Sequence, residues 1–118
     1  MARPTVLIVD DDFLVRRNTA EILQDAGFEV VEASNAANAL ALLHETPGVQ
    51  LICTDVQMPG ELDGIDLALR VRERHPDMRV IIMSAQSRHS DRLPSVPFLS
   101  KPFQASRLVE LARRELAA

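Results

Sequence analysis

Three aspartates, one serine and one lysine, far apart in the chain, carry the groups best suited to chemistry. Asp10 and Asp11 lie in the stretch VLIVDDD, Asp55 in LICTDVQMPG, Ser84 in VIIMSAQ and Lys101 in PFLSKPF. Neighbouring carboxylates repel, and taking one out of water is costly unless it is paired or bound to a metal. A site combining Asp10, Asp11 and Asp55 therefore calls for a cation. All-oxygen donors favour Mg²⁺, or Mn²⁺, over zinc, which prefers His or Cys. Magnesium takes one or two carboxylates and keeps several waters, leaving room for phosphoryl oxygens. A divalent ion and Lys101 nearly balance the three aspartates, so a further anion can be stabilised there during transfer.

The elements that must bring these residues together are short apolar strands alternating with helices. Strands are predicted at Thr5–Val9, Glu29–Glu32, Leu51–Thr54, Val80–Met83 and Pro97–Leu99. They are rich in Val, Ile and Leu and mostly continuous, as parallel strands covered on both faces are. Helices are predicted near Leu14–Ala26, Ala36–Glu45, Gly64–Arg74 and Ala105–Leu116. In the first, Val15, Thr19, Ile22 and Ala26 recur at helical spacing; in the last, Leu108, Leu111, Ala112 and Leu116 do. Gly27 suits a left-handed stop, Ser34 or Asn35 caps the second helix, Asp63 the third, and Pro76 blocks the third from continuing. This alternation implies a parallel sheet with right-handed crossovers and helices on both faces. In such a sheet ligands sit outside the carboxyl ends of the strands, where Asp10, Asp11, Asp55, Ser84 and Lys101 all fall. Residues 86–96, QSRHSDRLPSV, are too polar for a full helix and are expected to form at most a helical turn. With no repeat, linker or low-complexity tract, residues 1–118 are expected to form a single domain.

Composition narrows the class. The 118 residues are 47% hydrophobic and 25% charged, with net charge -4, which is ordinary for a globular chain and unlike a dedicated nucleic-acid binder. Four Phe and no Trp or Tyr leave little for base stacking. No apolar run suits a membrane span or signal peptide, and one cysteine, Cys53, fits a reducing compartment, so a cytoplasmic protein is expected. Lys101 is the only lysine among 13 basic residues.

VLIVDDD, TDVQMPG–DG, IIMSA and FLSKPF, in this order, resemble the receiver domain of two-component response regulators over essentially the whole chain. Receivers are among the folds that illustrate the strand-end rule, so the two placements of the site are not independent. The resemblance implies a flavodoxin-like, doubly wound five-stranded sheet of order 2-1-3-4-5, here with the fourth helix short or missing. It implies that Asp55 is the phosphoacceptor, charged by a sensor histidine kinase or phosphotransfer protein. Asp10, Asp11, Asp55 and the backbone carbonyl of Gln57 would hold Mg²⁺. Ser84 and Lys101 would each meet a phosphoryl oxygen, Phe98 occupies the place of the switch aromatic, and the bond before Pro102 is expected to be cis. A carboxylate is a weak nucleophile toward phosphorus, so positioning and charge neutralisation carry the catalysis. The chain would then be a signalling module that catalyses only its own phosphorylation and dephosphorylation. It would switch binding to an unidentified downstream protein, without direct nucleic-acid or membrane contact.

Plainer roles compete at several positions. Asp12 suits an N-cap, Cys53 inert core, and Phe98 either a switch or core. His44 and His75 sit at helix ends, where a cation suits the dipole, and Arg70, Arg72 and Arg74 read as a solvated face. Two features depart from receivers: MPGELDG is about one residue longer than the usual loop, and the segment between Ser84 and Lys101 is shortened, which puts dimerisation through that face in doubt. Gln57 and Gln86 stand where receivers tune dephosphorylation, and neither is acidic. The last helix reaches the end of the chain, which favours a stand-alone receiver over one excised from a longer regulator or hybrid kinase. A pseudo-receiver, and a phosphatase of the haloacid dehalogenase type, are the remaining readings. The second lacks an acid/base Asp at position 57 and a cap domain.

Overall fold

The computed structural model describes residues 3–85 and 95–117. The elements follow in the order β1 (Thr5–Val9), α1 (Phe13–Asp25), β2 (Glu29–Ala33), α2 (Ala36–Glu45), β3 (Val49–Asp55), α3 (Gly64–Arg74), β4 (Arg79–Ser84), β5 (Phe98–Ser100) and α4 (Ala105–Ala117). The strands form one five-stranded sheet of order β2-β1-β3-β4-β5, parallel at every pairing. This is the flavodoxin-like arrangement expected from the sequence.

The continuous apolar runs are explained by burial on both faces. Val6, Leu7, Ile8 and Val9 of β1 are all fully buried. Leu7 and Val9 point toward α2 and α3, joining Ala39, Leu43, Leu67 and Val71. Val6 and Ile8 point the other way, toward Leu23 of α1 and Leu108, Leu111 and Ala112 of α4. Each such side chain contributes about 1.5–3 kcal/mol on burial. β1 is therefore anchored on both faces, and it delivers Asp10 to the sheet edge.

The helix starts are set by side chains. Asp12 accepts the Val15 amide at 3.1 Å, and Asn35, rather than Ser34, accepts the Asn38 amide at 2.8 Å. Asp63 and Asp66 form a reciprocal capping box. α1 ends at Gly27 (φ 100°), where the Gly27 amide bonds Gln24 O and the Phe28 amide bonds Leu23 O, a Schellman stop.

Some expectations shift. β3 begins at Val49, because Val49 pairs with Thr5 before a register irregularity places Leu51 opposite Val6. β5 starts after Pro97, which has no amide hydrogen but whose carbonyl accepts the Ile82 amide at 2.9 Å. The buried stripe of α1 is Thr19, Ala20 and Leu23, one step round from the expected stripe; Val15 and Ile22 are only half-buried. Thr19 tolerates burial because its hydroxyl donates to Val15 O at 2.9 Å. The expectation of at most a helical turn over residues 86–96 lies, for 86–94, outside the described residues; Ser95 and Val96 are turn and bend, not helix. No helix among the described residues is long and apolar enough to cross a membrane.

Candidate functional site

Asp10, at the end of β1, is 1% exposed, yet each of its polar groups has a partner. Its amide donates to Ala33 O at 3.1 Å. Its carbonyl accepts from Arg16 Nη1 at 2.9 Å. Asp10 Oδ1 accepts the Asp12 amide at 2.9 Å, and Oδ2 accepts from Lys101 Nζ at 2.8 Å. Asp11 is exposed beside it.

Asp55 closes β3 next to β1, and its side chain is 15% exposed. Its Oδ1 accepts the Val56 amide at 2.9 Å and lies 3.5 Å from Lys101 Nζ. Burial pushes the Asp55 carboxyl above the usual aspartate range; the Lys101 charge opposes this, the Asp10 charge adds to it, and the Val56 amide opposes it. Carboxylate oxygens of Asp10, Asp11 and Asp55 all lie within 4.8 Å of one another. Lys101 offsets one of the three charges, so the all-oxygen donor set and its remaining charge suit a hard divalent cation.

Lys101 is aimed by its backbone. Its amide donates to Ser84 O at 2.7 Å, tying the end of β5 to the end of β4, and the Lys101–Pro102 bond is cis, as expected. Ser84 is buried at the end of β4, opposite Ser100. Phe98 is half-buried against the cluster under α2 and α3, opposite Ile82. Gln57 is exposed in the loop after β3. Asp12 is the α1 cap rather than a member of the acidic trio.

The residue reading missed three participants. Gly64, the first residue of α3, donates its amide to Val56 O at 2.8 Å, and a Cβ there would fall 1.9 Å from Asp55 O. A glycine directly after the cap Asp63, where bulkier residues are normally tolerated, was the available signal. Arg16 and Glu32 form an ion pair at 3.0 Å behind the acids, and Arg17 also reaches Glu32. No spacing rule joins β2 to α1, so only the fold reveals them.

A parallel sheet of this order, with acids and a lysine gathered at its carboxyl edge, defines a receiver fold. The chain belongs to the response regulator receiver domain family, whose model matches residues 6–113. It is 36% identical to the response regulator receiver protein CpdR of Brucella abortus over 118 residues, covering 96% of this chain and 97% of that protein. It is 35% identical to the DNA-binding transcriptional regulator NtrC of Azospirillum brasilense over 98% of this chain, but spans only 25% of NtrC. The solved structure of the response regulator TrrA from Thermotoga maritima, in complex with Mg²⁺ and BeF, superposes with a TM-score of 0.88 at 27% identity, covering 95% of this chain and 98% of that one.

Proposed function

We propose that this receiver accepts a phosphoryl group on Asp55 from a histidine kinase or phosphotransfer protein, in a Mg²⁺-dependent reaction, and thereby switches its binding to a partner protein. The observation that carries this reading is the placement of one ammonium, Lys101 Nζ, 2.8 Å from Asp10 and 3.5 Å from Asp55. Asp10, Asp11 and Asp55, with the Gln57 backbone carbonyl, would hold the ion, which supplies charge neutralisation for the incoming phosphoryl oxygens. An Asp55 oxygen forms the new P–O bond as the donor's P–N bond breaks and the imidazole leaves. Lys101 is placed to transfer its contact from the Asp55 carboxylate to a phosphoryl oxygen. Ser84, buried one strand over, is assigned to a second phosphoryl oxygen, and Phe98 to the packing change that follows. The TrrA complex with Mg²⁺ and BeF supports a metal and a phosphoryl-like group in this fold.

The test is intact mass after incubation with a small phosphodonor, with and without Mg²⁺, for the wild type and Asp55→Asn. A Mg²⁺-dependent gain of one phosphoryl group, lost in the variant, is expected. A wild type that binds Mg²⁺ but gains nothing from a small donor or a phosphorylated kinase would reduce the chain to a pseudo-receiver. A second reading, a receiver within a longer regulator, is favoured by the match to one quarter of NtrC; the near-full match to CpdR favours the stand-alone form. Sequencing the full-length transcript separates them.

A further inference from the structure

Arg16 stands behind the acids rather than among them. Its Nη1 donates to the carbonyl oxygen of Asp10 at 2.9 Å, while its Nε donates to Glu32 Oε1 at 3.0 Å. The second oxygen of Glu32 accepts from Arg17. The Arg16 and Glu32 side chains are only 14% and 21% exposed, and the Phe13 ring lies 5.4 Å from the Arg16 guanidinium carbon. A shielded, charge-assisted pair of this kind fixes geometry more firmly than a solvated surface pair does. The planar guanidinium reaches both acceptors at once; a single ammonium on a flexible stem is not shaped to do so.

The consequence falls on Asp10. β2 holds its peptide twice, directly from Ala33 O and indirectly from Glu32 through Arg16. With the peptide fixed, the carboxylate is held between the Asp12 amide and Lys101. We propose that Arg16, anchored by Glu32, is a positioning residue for the metal-binding acids, setting the Asp10 peptide so that the Asp10 and Asp11 carboxylates face a common point. This rests on the metal reading above. Mutating outer partners that orient metal ligands typically costs about 10–100-fold in affinity.

The proposal has a sign that simple electrostatics does not share. A cation this close opposes a divalent ion, so if charge alone mattered, removing Arg16 would tighten Mg²⁺ binding. Positioning makes the opposite prediction. Titration calorimetry with Mg²⁺ on the intact chain compares the wild type with Arg16→Ala, Arg16→Lys and Glu32→Gln, and hydrogen exchange follows the Asp12 amide in the metal-free proteins. Arg16→Ala is expected to weaken Mg²⁺ about tenfold, Arg16→Lys nearly as much, and both to speed exchange at Asp12. Glu32→Gln, which keeps a neutral acceptor for Arg16, falls between. Affinity that is unchanged or tighter in Arg16→Ala overturns the proposal, as does a loss of thermal stability with Mg²⁺ affinity intact. Should Arg16→Ala fail to fold, Arg16→Lys carries the same decision. Should the wild type not bind Mg²⁺, the metal reading fails by itself, and the Asp12 amide decides: unchanged exchange in Arg16→Lys overturns positioning, and faster exchange sustains it.

Discussion

The backbone of Asp55 lies directly against Gly64: a Cβ on that glycine would sit 1.9 Å from Asp55 O and 2.9 Å from the Val56 Cα. The obstacle is main chain, which cannot swing aside as a flexible side chain would. Gly64→Ala must therefore push the end of β3 away from the first turn of α3. The expected cost is about 1–3 kcal/mol, in the range of overpacked cores, read from the urea midpoint. Phosphorylation by a small donor should slow in parallel, because the displaced atom belongs to the proposed phosphoacceptor. An unchanged midpoint would show that the junction yields freely.

The raised Asp55 carboxyl gives a stability prediction with a definite sign. A carboxyl whose pKa is higher in the folded than in the unfolded chain binds more protons when folded, so stability falls as pH rises from the ordinary aspartate range through the raised value. With a chelator present, Asp55→Asn should have a higher urea midpoint than the wild type near neutral pH. The gap should narrow as the pH falls through the raised range of the Asp55 carboxyl toward the ordinary aspartate range, where the wild type is protonated in both states. Adding Mg²⁺ should then stabilise the wild type by about 1.4 kcal/mol at ten times its Kd, and the variant by less. A wild type more stable than the variant at neutral pH without metal would mean that the Lys101 contact outweighs burial.

Phe13 and Leu14 are 61% and 76% exposed, unusual for large apolar side chains, and Leu14 shares a shallow depression with Lys101, Pro102 and Phe103. The phosphohistidine donor proposed above would meet this surface beside Lys101. Leu14→Asp should slow transfer from a phosphorylated histidine protein by about tenfold or more, the value of a lost apolar contact plus a misplaced charge. Transfer from a small donor should hardly change. Equal slowing with both donors would place the effect in the site rather than in docking.

Cys53 lies fully buried in β3, and burial pushes its thiol up to about 12. The thiolate is the reactive form, so a maleimide at mildly alkaline pH should leave the native chain unlabelled for hours. Labelling should appear with the unfolding transition in urea. Rapid labelling of the native chain would mean that the centre of the sheet opens locally.

The acids and the lysine were legible because each follows an apolar run, and a parallel sheet puts the ends of such runs on one edge. The caps Asp12 and Asp63 were legible for a local reason: they bond amides three residues on. The buried face of α1 includes Thr19, as expected, since its hydroxyl bonds within its own helix, but it turns to Ala20 and Leu23 and leaves Val15 and Ile22 half-buried. Arg16, Glu32 and Gly64 were not legible from pattern. Their roles arise where α1 meets β2 and where α3 meets β3, and nothing in local spacing records those meetings. A resemblance supplied the roles of Asp55, Ser84 and Phe98, which residue types alone leave open.

The shortness of β5 has a further consequence, for how this protein meets other chains. An exposed strand at the side of a sheet invites a foreign strand to add on, and proteins discourage this with short edges, prolines and charges. β5 offers only Phe98–Ser100, with Pro97 before it and Pro102 soon after, neither carrying an amide hydrogen. The opposite border, β2, carries Glu29 and Glu32 within its five residues. Strand addition at β5 would have at most three residues to start from, and at β2 it would meet exposed Glu29 beside Arg3 and the Glu32 pairs with Arg16 and Arg17. Recognition is thereby directed to side chains on helices and loops and away from backbone pairing.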